Sequence, residues 1–323
     1  MEITSDFECG NIIVKEVTET TAQLEIRKDT NARYFQWFYF QVDGDAGVAR
    51  TFRIMNAGKS SYPKAWYDYD VLATYDGASW QRIRTEYNNE ELVFVHQAEQ
   101  ASTTYAFFVP YFEEQREALI QFCDASSLAT TDVIGQSLNG KPIHRITIGD
   151  TDADRKVVWF VTRQHAGEPM AEYATEGLVR YLLDEKNNIA QALLQEMVFH
   201  IVPNMNPDGS YAGNLRANAA GVDLNRAWDK PSDQCPEIVA VRDAIAATDV
   251  DYFFDVHGDE ERPFIWLLGP QIEISQAIAD VVVEYEGQLA RLSSQLQPAP
   301  EAITSTKPSD FGMSVDYIAA TYG

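Results

Sequence analysis

The stretch Lys156-Val-Val-Trp-Phe-Val-Thr162, followed at once by Arg163-Gln-His-Ala-Gly-Glu168, decides how the second half of this chain is read. A continuous apolar run leaves no polar face, which is what a strand covered on both sides requires. Downstream, Ala171–Leu183 reads as an amphipathic helix, Met197–Val202 as a strand, Pro236–Ala247 as a helix, Asp251–Val256 as a strand and Ile272–Leu292 as a long helix. Upstream, Thr131–Gln136 and Ile143–Ile148 flank Asn139-Gly140, a strong hairpin signal. Before them, Tyr111–Cys123 is helical in composition, with Phe112, Ala118, Leu119 and Phe122 spaced to share a face. Alternation of strand and helix predicts an α/β sheet. Gln295–Ser309, rich in Pro, Ser and Thr, reads as an extended loop.

The grammar differs before Pro110. Asn11–Val17, Thr21–Ile26, Tyr34–Val42, Ala49–Asn56, Glu91–Val95 and Thr104–Val109 are short β-like runs, and Asp43-Gly44 and Asp76-Gly77 are turn dipeptides. This predicts an all-β sandwich over residues 1–115 and an α/β domain over 116–323, a division that suits a length of 323 residues. Trp37 and Tyr39, if they faced solvent, could bind a partner; strand alternation makes half of such aromatics core.

Charge and composition narrow the function classes. With 25 Lys plus Arg against 49 Asp plus Glu, the net charge of −24 repels phosphate backbones and anionic bilayers, so neither nucleic acid nor a membrane is expected as a partner. The first residues carry no apolar run, and no stretch approaches a membrane span, so a cytoplasmic location is expected. Cys9, Cys123 and Cys235, odd in number and far apart, read as buried thiols in a reducing compartment.

Two of the 5 histidines stand at the C-terminal ends of predicted buried strands, where open α/β sheets present their ligands. His165 follows Lys156–Thr162 with Glu168 three residues on, and His257 ends the strand that closes at Val256. Two imidazoles, one carboxylate and a position left to water form the usual catalytic zinc set, although hydrogen-bonded loop residues look the same in sequence. His96, His144 and His200 lie within or beside strand runs and lack such partners. Between the candidates come the turn former Asn206-Pro-Asp-Gly209 and the segment Gly213–Trp228, small residues among which Arg216, Asn225 and Arg226 are set. Guanidinium forks bind carboxylates in a bidentate way, so a substrate with a free carboxylate is expected; structural salt bridging is the alternative.

His165-Ala-Gly-Glu168, Asn206-Pro-Asp-Gly209, Gly221-Val-Asp-Leu-Asn225-Arg226 and Asp255-Val-His257, in this order and spacing, resemble the zinc carboxypeptidases of the M14 (funnelin) family. Phe7-Glu-Cys-Gly-Asn11, Gln36-Trp-Phe-Tyr-Phe40, Val109-Pro-Tyr111 and the spacing from Gly213-Asn-Leu-Arg216 to Asn225-Arg226 resemble its cytosolic carboxypeptidase branch. The resemblance covers nearly the whole chain. It implies a mixed sheet flanked by helices after the β-sandwich, and one zinc (Zn2+) per chain held by His165, Glu168 and His257. It also implies that Asn225 and Arg226 hold the C-terminal carboxylate of a peptide or protein tail, while Arg216 polarises the scissile carbonyl.

Three departures accompany it. The family's general-base glutamate sits on a strand after the helix that Met313–Tyr322 resembles, so by that register it is expected beyond Gly323. The family's usual tyrosine before that helix falls at Pro308 or Ser309. Members that trim glutamate keep basic residues around the side-chain pocket; here Lys307 and Arg163 are the candidates, so a preference for acidic (Glu) C-terminal residues has partial support. Two other readings stand beside the metallocarboxypeptidase: a pseudoenzyme that binds C-terminal tails without cutting, and a zinc deacylase of N-acyl amino acids.

Overall fold

The computed structural model describes residues 1–152, 154–299 and 312–323. Alternation in the first hundred residues produces two five-stranded sheets. One contains β1 (Glu2–Thr4), β4 (Tyr39–Asp43), β10 (Ser102–Ala106), β6 (Val71–Thr74) and β7 (Trp80–Ile83) in that spatial order. The other contains β2 (Ile13–Val17), β3 (Thr21–Glu25), β5 (Ala49–Ile54), β9 (Leu92–Gln97) and β8 (Thr85–Tyr87). Inward residues of both sheets share one core, in which Phe52 stacks on Phe94 at 4.8 Å and meets Tyr105 of the opposite sheet at 5.1 Å. Aromatics dominate such a core because each buries a large apolar area in few side-chain torsions. Trp37 and Tyr39 belong to it at 1% and 8% exposure, so they offer no partner surface.

Tyr34–Phe38 forms no strand, although its composition predicts one. Its bonds go to loops instead: Phe35 N–H donates to Ser61 Oγ, Phe35 O accepts from Ser61 N–H, and the Gln36 side chain exchanges hydrogen bonds with the backbone of Tyr62. The short strands β1, β6, β7 and β8 were not expected; Asp76-Gly77 is the turn between β6 and β7.

The second half is a mixed sheet in the order β11 (Ala129–Gln136), β12 (Pro142–Ile148), β14 (Met197–Val202), β13 (Lys156–Thr162) and β15 (Tyr252–Val256). β13 runs parallel to both β14 and β15, and the β11–β12 hairpin joins antiparallel. Around it lie α1 (Glu113–Asp124), α2 (Pro169–Leu182), α3 (Asn188–Glu196), the single turn α4 (Pro207–Tyr211), α5 (Pro236–Thr248), α6 (Gln276–Leu292) and α7 (Ser314–Tyr322). Trp159, Val161, Ile238, Val241 and Ile245 pack one face of the sheet, and Val158, Leu119, Val179 and Leu182 pack the other. This two-sided cover is what the unbroken apolar run of β13 requires. The three cysteines are free and buried.

A buried ion cluster locks the end of β13 to its surroundings. Arg163, 1% exposed, pairs with Glu172 of α2, which also accepts from Arg116 of α1 and from Asn204 Nδ2. Arg163 also donates to the carbonyls of Tyr111 and Ala166 and adopts a positive φ of 51°. That strained backbone is held by its own guanidinium, and it bends the chain just before His165. Arg163 is therefore neither a surface residue nor a pocket cation.

Candidate metal centre

The site is assembled from strand ends. Glu168 stands at the N-cap of α2, directly after the turn that begins at the end of β13, and His257 directly follows β15. Parallel pairing of β13 with β15 brings these ends together. His165 and Glu168 are 5% and 2% exposed, and the two imidazole rings lie 4.6 Å apart between centroids. Nδ1 of His165 faces Glu168 Oε1 at 2.7 Å, and Nδ1 of His257 faces Oε2 at 2.9 Å. One donor atom from each of the three residues falls within 4.8 Å of the others, so the three could hold one metal ion.

The far side of each imidazole is occupied by a second carboxylate. His165 Nε2 lies 3.2 Å from Asp223 Oδ1, and His257 Nε2 lies 2.8 Å from Asp255 Oδ2. Carboxylates on Nε2 hold both rings with Nδ1 toward the common point and raise its basicity as a ligand. This two-nitrogen, one-oxygen donor set with backed imidazoles fits zinc. Burial opposes ionisation of Glu168, Asp223 and Asp255, yet the adjoining histidines hold all three below the usual carboxylate range, helped at Asp223 by Arg216.

Asp223 is the pivot of the site. Its other oxygen accepts from Arg216 Nε at 2.6 Å, and its Oδ1 caps the turn Leu224–Arg226 through Asn225 N–H at 3.1 Å. Arg216 Nη1 donates to Tyr62 Oη at 2.8 Å, and its Nη2 has no hydrogen-bond partner among the described residues. Asn225 Nδ2 lies 3.0 Å from His257 Nε2, and Asn225 Oδ1 accepts from Ser314 N–H of α7. Arg226 is exposed and donates to the carbonyl of Asn225, without an ion pair to any described residue. Five of the six sequence candidates thus join one network, and Arg226 is the next residue on the turn that bears Asn225.

The other candidates go elsewhere. His96 pairs with Tyr105, His144 approaches Glu117 and His200 pairs with Thr147, all away from the site. Asn206-Pro-Asp-Gly209 is structural: Asn206 Nδ2 donates to the carbonyl of Gln164, and Asp208 accepts from Ser137 and Asn139. Lys307, Pro308 and Ser309 lie outside the described residues.

Four contributors escaped the sequence reading. Asp223 and Asp255 sit inside the quoted motifs, but only direction in space reveals what they back. Tyr62 belongs to the β domain, 154 residues from the arginine it touches. Glu260, three residues past His257, has its carboxyl pushed up to about 8 by desolvation first and by the negative charge of Glu168 second.

Comparison with known proteins agrees with this geometry. Residues 3–108 match the family described as cytosolic carboxypeptidase N-terminal domain, and residues 118–266 match zinc carboxypeptidase. A metallo-carboxypeptidase from Burkholderia cenocepacia superposes with a TM-score of 0.96 at 34% identity, over 100% of this chain and 87% of that one. A metallo-carboxypeptidase from Pseudomonas aeruginosa, solved in complex with (2-guanidinoethylmercapto)succinic acid, gives 0.93 at 32% identity over 100% and 87% of the two chains. Cytosolic carboxypeptidase 6 of Caenorhabditis elegans is 25% identical, over 91% of this chain and 73% of its own length. No helix among the described residues is long and apolar enough to cross a membrane. With both halves matched and near-complete superposition on metallo-carboxypeptidases, this chain belongs to the M14 zinc carboxypeptidase family, in the branch that carries a cytosolic carboxypeptidase N-terminal domain.

Proposed function

We propose that this protein hydrolyses the C-terminal peptide bond of peptides or protein tails in the cytoplasm, using one zinc held by His165, Glu168 and His257. The observation that carries this reading is the placement of Asp223, which touches a metal-set histidine, the Arg216 guanidinium and the turn bearing Asn225 and Arg226. One carboxylate thereby keeps three functions in register.

The roles follow from charge. Zinc bound at this set supplies Lewis acidity toward the scissile carbonyl and the attacking water. Arg226, exposed and without an ion pair among the described residues, and the Asn225 amide beside it form the clamp for the substrate's terminal carboxylate. Arg216 is held at Nε by Asp223 and at Nη1 by Tyr62, which leaves Nη2 for the carbonyl oxygen as it gains negative charge. The attacking water must also give up its proton to a carboxylate base. A preference for C-terminal glutamate would need a cation in the side-chain pocket; Arg163 is spent on Glu172, which leaves Lys307 as its support.

The test uses the purified protein, loaded with zinc and given peptides ending in Glu, Lys or Leu. Mass spectrometry is expected to show loss of a single C-terminal residue, abolished by His165→Ala. Peptide binding without cleavage would overturn the hydrolase in favour of the tail binder. Cleavage of N-acyl amino acids with peptides left intact would favour the deacylase.

A further inference from the structure

The segment 212–221, which carries Arg216, contains neither helix nor strand. Its backbone groups must find partners outside any ladder; some are met within the α/β half, as Leu215 O is by Gly167 N–H, and the amides around Arg216 are met by the β domain. Asp29, on the loop between β3 and β4 and 4% exposed, accepts from three successive amides: Leu215 at 2.6 Å, Arg216 at 2.7 Å and Ala217 at 2.9 Å. Around it, Asn11 Nδ2 donates to Gly213 O, Arg27 to Ala212 O, Thr30 N–H to Asn214 Oδ1 and Asn31 Nδ2 to Ala219 O.

The two ends of the segment are shaped to the same surface. Gly213 and Gly221 have φ of +69° and +89°, and a Cβ on them would lie 2.6 Å from Cys9 O and 2.4 Å from Asn31 O. Side chains are excluded there both by backbone conformation and by the β-domain backbone itself.

Resting on the carboxypeptidase reading, we infer that the β domain sets the position of Arg216, with Asp29 the positioning residue that aims it at the scissile carbonyl. A buried carboxylate is costly unless its hydrogen bonds are complete. This one spends its three bonds to backbone amides on the other domain, at the residue whose side chain must meet developing charge. Tyr62 completes the arrangement by accepting from the guanidinium at its far edge.

The test is a double-mutant cycle between Asp29 and Arg216, read by calorimetric binding of (2-guanidinoethylmercapto)succinic acid to the zinc-loaded full chain. The probe carries two carboxylates, enough to engage the Asn225–Arg226 clamp and Arg216 together. Asp29→Asn is expected to weaken the probe by up to about a hundredfold, as small misplacements in such sites do, with zinc content unchanged. In an Arg216→Ala background the same substitution is expected to have no further effect. Equal loss in both backgrounds, or full affinity in Asp29→Asn, would overturn the inference while leaving the carboxypeptidase reading intact. Failure of the unsubstituted, zinc-loaded chain to bind either this probe or a peptide ending in Glu would instead count against the function. Hydrogen exchange on the metal-free chain gives a readout that needs no ligand. Faster exchange at residues 215–217 in Asp29→Ala supports the anchoring, and unchanged exchange contradicts it.

Discussion

The two halves of the site are built in opposite ways. His165, Glu168 and His257 stand on the ends of neighbouring parallel strands, and the order of the sheet brings them together. Arg216 stands on an irregular segment whose shape is imposed by a domain 187 residues away in sequence. The first half is local to a sheet and rigid by construction. The second depends on an interface, so damage to the β domain should reach catalysis through the arginine and leave the metal in place.

The largest expected effect concerns the metal half. Glu172→Gln leaves Arg163 and Arg116 buried without their shared carboxylate and should cost about 3–5 kcal/mol of stability, measured by urea unfolding. Arg216→Ala should lower kcat by about 10²–10³ with zinc retained, because it removes one donor to the oxyanion. Asp223→Asn should span the halves, weakening zinc about 10–100-fold in a chelator competition and lowering kcat in addition. If kcat per bound zinc is unchanged, the pivot role assigned to Asp223 is wrong. Gly221→Ala should destabilise by about 1–2 kcal/mol through its positive φ and the Asn31 carbonyl, without loss of zinc.

The mildest test is protonic. Desolvation lowers the affinity of His257 for a proton, but Asp255 and Glu168 outweigh it and hold the metal-free imidazole well above its usual range. These carboxylates thus favour the protonated imidazole, the form that competes with metal. Zinc binding should weaken as pH falls, with proton release visible as a dependence on buffer ionisation enthalpy.

How far the sequence revealed this follows the same division. The apolar run of β13 and the strand-end histidines are legible because period and position along one strand carry the information. Asn225 and Arg226 stand out as polar residues in a small-residue segment, and their role is what the family resemblance implies. Asp29 and Tyr62 are not, because their meaning lies in contacts 154 or more residues distant, and nothing in Lys28–Ala32 or Ser61–Pro63 signals them. Tyr34–Phe38 misleads for a related reason: its residues suit a strand, but the side chains of Ser61 and Gln36 take the place of a ladder.

The most direct test of the account is the zinc content of the purified chain by elemental analysis, beside His165→Ala. About one zinc per chain, lost in that variant while the β-domain variant Asp29→Asn keeps it, is the predicted result. A folded chain that takes up no zinc, or a His165→Ala chain that retains it, would contradict the assignment of the metal half and the mechanism built on it.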